Sequence, residues 1–334
     1  MKKIPRLRFA HLPTPVEPLP TLSAFLQGPS LWIKRDDQTG LAFGGNKTRK
    51  LEYLLAEAQA HGADTLITTG AVQSNHCRQT AAAAARSGLA CILVLAGDRP
   101  ESASGNLALD RLLGAEIVWG GKGARDEALQ ETFDRALRAG RRPYLIPYGG
   151  SSPIGVTAYV SALEELHTQR AAFPGGQLPD WIVFASSSGG TQAGLALGAA
   201  CLGYRGRILG ISVDETADIL QSRVQGLANE TAEFLNEPAS ILADDILVND
   251  AYLGGGYGVM GEPEVEALQL FASREGILLD PVYTGRAAAG LIDLIRRGFF
   301  RTDQTILFWH TGGTPALFAG QYQPLFKPDH FVNE

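Results

Sequence analysis

The sequence predicts an α/β protein in which mostly parallel strands form a sheet covered by helices on both faces. Short apolar, β-branched runs alternate with longer segments of helical period, which is the pattern of this fold class. Several of these runs end in a Gly- or Ser-rich turn that opens directly into a helical segment. At 334 residues, the chain is also long enough for two domains, or for one large domain with an insertion.

Each predicted strand is a short run of apolar or β-branched residues interrupted by Gly, Pro or charge. In chain order, strands are predicted at residues 31–34, 65–69, 91–96, 116–119, 144–147, 181–185, 208–213 and 305–309. The segments between them predict helices at residues 46–61, 75–87, 106–113, 124–139, 155–168, 191–201, 262–275 and 285–297. The alanine run at residues 81–85 predicts a buried helix face packed close to a neighbour. In such a sheet, ligands collect at the carboxyl ends of the strands.

The composition excludes several classes of protein. Hydrophobic residues make up 45% and charged residues 19% of the chain, which is ordinary for a globular protein. The net charge of −6 lacks the basic footprint that nucleic-acid binding requires. The apolar runs are short and interrupted, so we expect no membrane-spanning segment. The basic start of the chain runs into several prolines without an apolar core, which argues against a signal peptide.

The cysteines and histidines favour neither a disulfide framework nor a metal site. Cys77, Cys91 and Cys201 are an odd set without C-x-x-C spacing. The six histidines are scattered and none forms H-E-x-x-H, so a metal hydrolase is poorly supported. We therefore expect reduced thiols and a cytoplasmic protein.

A run of small residues, Ser-Ser-Ser-Gly-Gly-Thr-Gln-Ala-Gly at residues 186–194, follows a predicted strand and begins a predicted helix. Such a turn exposes backbone N–H groups at the positive end of a helix dipole, where a phosphate is well held. Hydroxyls from Ser188 and Thr191 would complete the cradle around Gly189 and Gly190. The alternative is a helix cap whose glycines only permit a tight turn. Neither a Walker loop nor a dinucleotide fingerprint occurs, so a mononucleotide-sized phosphate ligand remains.

Lys47 lies at the start of a predicted helix, in the run Gly-Gly-Asn-Lys-Thr-Arg-Lys at residues 44–50. The helix dipole disfavours a cation at this end, so a neutral amine or imine suits the position better. Lys47 is therefore a candidate Schiff-base lysine, a role in which burial lowers the pKa of the amine. The alternative is that Lys47, Arg49 and Lys50 form an ordinary solvated basic face.

A third strand-to-helix junction carries Ser74 and Asn75, in Gln-Ser-Asn-His-Cys-Arg-Gln at residues 73–79. Ser74 and the first helical amides could receive a substrate carboxylate, and Asn75 could hydrogen-bond a ligand oxygen. The alternative is that Ser74 only caps the helix.

Two tyrosines, Tyr257 and Tyr283, are each flanked by turn residues and could line a cleft. They could act as acid or base there if their pKa values are shifted, although a single tyrosine is more often a core residue with a satisfied hydroxyl. Thr311 follows the last predicted strand, and its hydroxyl could meet the edge of a ligand ring.

Taken together, these segments resemble the tryptophan-synthase-β-like (fold type II) pyridoxal-phosphate enzymes. More narrowly, they are similar to the D-cysteine desulfhydrase and 1-aminocyclopropane-1-carboxylate deaminase family. The motifs at residues 44–50, 73–76, 189–194 and 280–283 carry the resemblance, and their order and spacing are highly specific. The resemblance runs from about residue 5 to residue 318. It implies an α/β fold of two open, twisted, mostly parallel sheets flanked by helices.

The resemblance assigns a role to each matching residue. Lys47 matches the lysine that bonds to pyridoxal 5'-phosphate, Lys50 a second lysine near the phosphate, and Asn75 the partner of the ring oxygen. The candidate catalytic residues are Lys47, Ser74, Tyr257 and Tyr283. The candidate cofactor-binding residues are Lys47, Lys50, Asn75, Ser188, Gly189, Gly190, Thr191, Thr284 and Thr311. The candidate substrate-binding residues are Ser74, Asn75, His76, Tyr257 and Tyr283.

The resemblance also implies the organisation of the chain. A small α/β domain at residues 53–160 is expected to be inserted into a large cofactor-binding domain formed by residues 1–52 and 161–334. A homodimer and a small amino-acid substrate are implied as well.

Two positions separate the activities within this family. Deaminases carry Glu at the position of Thr284 and Leu at that of Thr311, whereas desulfhydrases resemble this chain there and share His76. A carboxylate beside the pyridine nitrogen would keep it protonated and strengthen the ring as an electron sink, but a threonine hydroxyl would not. The sequence therefore predicts α,β-elimination of a D-amino acid such as D-cysteine. Either Lys47 or a nearby hydroxyl would remove the α-proton.

Other activities remain open on the sequence. An L-cysteate sulfo-lyase shares the Ser-Asn-His and His-Thr-Gly-Gly segments, and only the pocket would distinguish a sulfonate from a thiolate. A 1-aminocyclopropane-1-carboxylate deaminase is a weaker match. A non-catalytic ligand-binding module is disfavoured, because a sensor does not need an imine-forming amine.

Overall fold

The computed structural model describes residues 2–121 and 125–326, which form helices packed on two sheets. The strands are β1 (Val16–Pro18), β2 (Ser30–Arg35), β3 (Thr65–Ala71), β4 (Ala90–Ala96), β5 (Glu116–Gly121), β6 (Pro143–Leu145), β7 (Trp181–Ser186), β8 (Arg207–Ser212), β9 (Leu247–Asn249) and β10 (Thr305–His310). The helices are α1 (Pro20–Leu26), α2 (Asn46–Ala60), α3 (Asn75–Arg86), α4 (Gly105–Leu112), α5 (Arg125–Arg138), α6 (Pro153–Thr168), α7 (Gly190–Leu202), α8 (Ala217–Leu235), α9 (Glu262–Glu275) and α10 (Thr284–Arg296).

The two sheets have different strand orders. The larger sheet has the order β1-β2-β10-β7-β8-β9 and is parallel except for the pairing of β1 with β2. The smaller sheet has the order β5-β4-β3-β6 and is parallel throughout. The chain leaves the larger sheet after β2, builds the smaller sheet, and returns at β7. The predicted domain limits at residues 53 and 160 fall within α2 and α6 and remain a prediction.

The predicted elements are confirmed, with ends that differ by at most two residues. Residue 124, the predicted first residue of α5, lies outside the described residues. Four elements were not predicted: β1, β9, α1 and α8. Strand β1, Val-Glu-Pro, carries no apolar run, but Ile-Leu-Val at residues 246–248 could have revealed β9, as Tyr-Leu-Ile at residues 144–146 revealed the equally short β6. Helix α8 does bury Leu220, Val224 and Ala228 at a spacing of four, so the helical period could have revealed it.

The alanine face of α3 is buried over residues 81–84, but Ala85 is exposed. The prediction of a buried face was wrong at Ala85 because the last turn of α3, which ends at Arg86, emerges from the fold. The three cysteines all carry free thiols, as predicted. Within the described part of the chain, no helix is both long enough and apolar enough to cross a membrane.

A buried ionic network joins α2 to the larger sheet. Arg49 is 3% exposed and donates hydrogen bonds to both oxygens of Asp36, at 2.8 and 2.9 Å, and to Glu165 on α6 at 2.9 Å. Lys34 on β2 also pairs with Glu165, so two cations face two carboxylates. Burial pushes the pKa of Asp36 upwards, but the charge and hydrogen bonds of Arg49 hold it below its usual value. The alternative of a solvated basic face is therefore wrong for Arg49.

Candidate active site

A cleft lies where the strands of both sheets end. Its walls come from the turns that follow β3, β7 and β10, from the start of α2, and from the segment after β6. The lining residues are Asn46, Lys47, Ser74, Asn75, His76, Tyr148, Gly149, Ala185, Ser186, Ser187, Ser188, Gly189, Thr191, Tyr283, Thr311 and Gly312. The three strand-to-helix junctions singled out in the sequence therefore meet at one cavity, as expected for the carboxyl edges of parallel strands.

The start of α2 reaches the cleft because two glycine turns pack directly on each other. A Cβ atom at Gly312 would lie 2.6 Å from the Cα of Gly45, so neither turn leaves room for a side chain. The backbone N–H of Asn46 donates to the carbonyl of Thr311 at 2.9 Å and joins the two turns. This contact places Lys47, the next residue, in the wall of the cavity.

Lys47 lines the cleft, and burial lowers the pKa of its amine to about 8. Its Nζ lies close to the turn at Gly149, where an added Cβ would approach it to 3.6 Å. A lysine amine with this pKa is neutral in a substantial fraction of molecules near neutral pH, which is the form that attacks a carbonyl carbon or accepts a proton.

The turn after β7 has the geometry of an anion cradle. Gly189 adopts a positive φ of 82° immediately before α7 and lines the cleft, so the start of that helix lies beside the cleft. The hydroxyls of Ser188 and Ser151 are hydrogen-bonded at 2.9 Å, and Asn46 donates to the Thr191 hydroxyl at 3.1 Å. These hydroxyls and the start of α7 therefore lie together at the turn after β7.

Lys50 provides a test of whether a phosphate fits there. Its side chain is fully buried, and a Cβ atom at Gly190 would lie 2.8 Å from its Nζ. The amine bonds only weakly to the Gly149 carbonyl at 3.2 Å and the Ser151 hydroxyl at 3.4 Å, and no carboxylate pairs with it among the described residues. Burial, and then the charge of Lys47, hold the pKa of Lys50 well below its usual value. A phosphate on this turn would supply the missing negative charge, so the residues present fit one.

The amide of Asn75 is oriented by its neighbours. Its Oδ1 accepts hydrogen bonds from Arg78 and from Asn106, both at 2.9 Å. The Nδ2 group is consequently directed to the other side, towards the turn at Gly313, where an added Cβ would lie 2.8 Å away. Asn75 thus presents a donor to the cleft, which is what an oxygen substituent on a ligand ring requires.

Ser74 and His76 occupy the same helix start. The Ser74 hydroxyl oxygen accepts the N–H of Cys77 at 3.2 Å, so it caps α3, and it also lines the cleft. His76 is buried and bonds through Nε2 to the hydroxyl of Thr68 at 2.9 Å. Burial, followed by the charges of Lys47 and Lys50, holds the pKa of His76 well below its usual value. The ring is therefore neutral at physiological pH.

The two predicted tyrosines meet at the cleft. Tyr283 lines it, and its hydroxyl lies 2.7 Å from that of Tyr257, with the rings in a T-shaped arrangement 5.9 Å apart. Burial, together with the neighbouring Tyr257 and Tyr148 hydroxyls, raises the pKa of Tyr283 well above its usual value. Both hydroxyls are consequently neutral donors at physiological pH.

The cleft is also lined by three residues that were not predicted as site residues: Tyr148, Gly149 and Asn46. The segment Pro-Tyr-Gly-Gly-Ser after β6 is a glycine-rich turn that opens into α6, the same signal that identified the other three junctions. Applying that signal to every strand end would have found it.

Four of the predicted site residues do not line the cavity itself. Tyr257 and Lys50 lie directly behind lining residues, and Gly190 follows the lining residue Gly189. Thr284 is fully buried, and its hydroxyl donates to Asp280 Oδ1 and accepts the Asp280 N–H, both at 2.8 Å. A direct contact between Thr284 and a cofactor ring remains a prediction.

A buried carboxyl behind α3 makes stability depend on pH. Asp110 is fully buried, neither oxygen has a hydrogen-bond partner among the described residues, and burial raises its pKa to about 8. The folded protein therefore binds this proton more tightly than the unfolded chain does. The ionised Asp110 carboxylate destabilises the folded protein, and this effect is absent below about pH 4 and complete above about pH 8.

Asp110→Asn should remove this dependence. We expect the unfolding free energy of the wild type, relative to the variant, to fall by about 1 kcal/mol per pH unit between pH 5 and 8. Urea unfolding of both proteins across that range measures it. If the unfolding free energies of the wild type and the variant change equally with pH, the raised pKa of Asp110 is contradicted.

Comparison with known proteins identifies the family of the chain. Residues 7–312 match the family described as "Pyridoxal-phosphate dependent enzyme". The chain is 45% identical over 330 residues to a D-cysteine desulfhydrase of Salmonella choleraesuis (strain SC-B67), covering 97% of this chain and 98% of the relative. It is 44% identical, with the same coverage, to a D-cysteine desulfhydrase of Salmonella typhimurium.

Solved structures agree with the fold. The crystal structure of an ACC deaminase homologue superimposes with a TM-score of 0.87 at 40% identity and covers 97% of both chains. A fungal L-serine ammonia-lyase from Rhizomucor miehei has a TM-score of 0.66 at 18% identity, covering 96% of this chain and 99% of its own, and shows the fold alone. The fold is therefore fold type II, as predicted, and the chain belongs to the pyridoxal-phosphate dependent enzymes.

Proposed function

We propose that this chain is a pyridoxal-phosphate dependent carbon–sulfur lyase that converts D-cysteine and water to pyruvate, hydrogen sulfide and ammonia. The observation that carries the proposal is the cleft itself, which combines one amine of lowered pKa with neutral hydroxyl and amide donors. The names of the relatives at 44–45% identity point to the same substrate.

Residues of this chain suit the parts of the cofactor. Lys47 would bind its aldehyde carbon, Asn75 its ring oxygen, and the turn of residues 188–191 with Lys50 its phosphate. When bound, pyridoxal phosphate supplies an electron-withdrawing ring that accepts the electron pair released at the substrate Cα. Thr311 lines the cleft beside these groups.

Lys47 is the residue best suited to remove the α-proton. Its amine has a pKa of about 8, close to the working pH, whereas the pKa values of both tyrosine hydroxyls are raised. We therefore assign the base to Lys47. Tyr283 would donate a hydrogen bond to the departing thiolate, and the hydrogen bond from Tyr257 would orient the Tyr283 hydroxyl.

Ser74 and the start of α3 would hold the substrate carboxylate. The Ser74 oxygen already accepts the Cys77 N–H, so the hydroxyl proton is available for donation to a ligand. The amides of the first turn of α3 add the positive end of a helix dipole.

The charges of the lining residues favour a thiolate over the competing leaving groups. Among the described residues that line the cleft, Lys47 is the only lysine or arginine, so a sulfonate would have no second cation to meet. The same set contains no Asp or Glu to keep a pyridine nitrogen protonated. Both observations support desulfhydrase activity over L-cysteate and cyclopropane cleavage.

We also propose the organisation that the resemblance implies: an inserted domain at residues 53–160, a homodimer, and a cytoplasmic location. The insertion of the smaller sheet between β2 and β7 supports the first. The free thiols support a reducing compartment. Solution mass measured by light scattering tests the dimer.

A substrate panel tests the function. The purified holoenzyme is incubated separately with D-cysteine, L-cysteine, L-cysteate and 1-aminocyclopropane-1-carboxylate, and pyruvate, sulfide, sulfite and 2-oxobutyrate are quantified. We expect pyruvate and sulfide in equal amounts from D-cysteine, at a kcat/KM at least tenfold above the other substrates. Turnover of L-cysteate with D-cysteine inert, 2-oxobutyrate as the main product, or no product from any compound would each overturn the proposal.

A further inference from the structure

Tyr257 lies in a loop that has no regular secondary structure. It sits in the run Gly-Gly-Gly-Tyr-Gly at residues 254–258, between β9 and α9, where the chain has neither helix nor strand. Gly254, Gly256 and Gly258 have positive φ values of 55°, 104° and 74°. Glycine loses more conformational freedom on ordering than any other residue, so this loop needs contacts from outside to hold one conformation.

One buried side chain supplies contacts on both sides of Tyr257. The guanidinium of Arg286 donates to the carbonyl of Gly256 at 3.0 Å and to that of Val259 at 2.7 Å. It also donates to the carbonyl of Val213, just beyond the end of β8, at 2.9 Å. Arg286 therefore ties the loop to the larger sheet.

A buried carboxylate balances the charge of Arg286. Its Nε donates to Glu264 Oε1 at 2.9 Å, and the two side chains are 1% and 6% exposed. The other oxygen, Oε2, accepts the N–H of Gly261 at 2.9 Å, where the loop enters α9. A planar guanidinium can reach these separate acceptors at once, whereas the single nitrogen of a lysine cannot.

Arg286 also lies beside the second tyrosine in the chain. It occupies the first turn of α10, three residues after Tyr283. One helical turn therefore carries both Tyr283 and the side chain that holds the Tyr257 loop. The 2.7 Å hydrogen bond between the two hydroxyls depends on both segments keeping their relative position.

We propose that Arg286 is a positioning residue that clamps the loop of residues 254–259 and so keeps the Tyr257 hydroxyl against Tyr283. The effect on the loop is independent of the substrate. The effect on turnover rests on the proposed function, so the two are measured separately.

Hydrogen–deuterium exchange of the holoenzyme tests the clamp without using activity. In Arg286→Lys and in the charge-matched double variant Arg286→Met with Glu264→Gln, we expect amides of residues 254–259 to exchange at least tenfold faster than in the wild type. Arg296→Met is the matched control, because Arg296 pairs with Glu266 across the same two helices at their exposed face. It should leave the loop unchanged. Exchange in residues 254–259 that is unaltered in the Arg286 variants would overturn the proposal.

A double-mutant cycle with Tyr257→Phe tests whether Arg286 acts through that hydroxyl. The charge-matched double variant should lower kcat/KM for D-cysteine by about 10- to 100-fold in the Tyr257 background. In the Tyr257→Phe background, the same change should cost less than threefold. An equal loss in both backgrounds would refute positioning through Tyr257. A wild type inactive on D-cysteine would instead refute the proposed function, and the exchange experiment would still decide the clamp.

Discussion

Replacing Lys47 with alanine should abolish covalent attachment of pyridoxal phosphate and nearly all turnover of D-cysteine. Within the described lining of the cleft no other lysine is present, and Lys50 is engaged by Gly149 and Ser151 behind the phosphate turn. Loss of a general base alone costs about 10²- to 10⁴-fold in rate, and loss of the covalent attachment adds to this. Pyruvate formation measures the first effect, and the cofactor absorption band near the visible edge measures the second.

Lys3→Ala is the matched control for this experiment, because Lys3 is exposed. It should keep both the absorption band and the activity of the wild type. A Lys47→Ala protein that retains the wild-type band would show that another residue carries the cofactor. That result would remove the basis of the proposed mechanism.

Arg49→Met should destabilise the protein by about 3–5 kcal/mol, because it breaks a buried ionic network by removing one partner. Asp36 would then keep only hydroxyl donors, from Thr14 and Tyr159, for a fully buried carboxylate. Arg49 also anchors α2 only two residues from Lys47. Chemical denaturation of the cofactor-free protein measures the loss, and cofactor affinity should fall with it.

Two variants distinguish the effect of breaking the buried ionic network from the effect of replacing any arginine. Arg301 pairs with Asp303 at the surface, so Arg301→Met should leave the unfolding midpoint almost unchanged. Adding Asp36→Asn to Arg49→Met removes the uncompensated charge and should recover part of the stability. Equal midpoints for Arg49→Met and Arg301→Met would contradict the assigned role of the network.

The positions of the strands and helices could be predicted because local periodicity encodes them. The run at residues 181–185 is apolar throughout, as expected for a strand buried on both faces. The location of the Ser74 and Ser188 segments at ligand-binding edges could also be predicted, since parallel strands present their carboxyl ends at one edge of their sheet. The strands that precede them, β3 and β7, lie in different sheets, so only the tertiary structure shows that the two edges meet. Strand β1 could not be predicted, because Val-Glu-Pro carries no apolar run.

The supporting residues of the site were not predictable in the same way. Arg78, Arg286 and Asn106 look like ordinary polar residues of helices in the sequence. Their functions come from acceptors that lie far away in the chain, such as the 73 positions between Arg286 and Val213. Thr284 was predicted to bind the cofactor, but its hydroxyl is hydrogen-bonded to Asp280 and does not line the cleft.

The motifs and the family resemblance that they carry were sufficient to predict the fold class and the cofactor, and to propose Lys47 as the lysine that would hold it, because helix starts and glycine turns are local features. The tertiary structure alone decided the protonation behaviour of that lysine, the direction of the Asn75 amide and the pairing of Tyr257 with Tyr283. Those properties depend on burial and on groups distant in sequence, and the free energy of a charge or a hydrogen bond is set by what surrounds it in space.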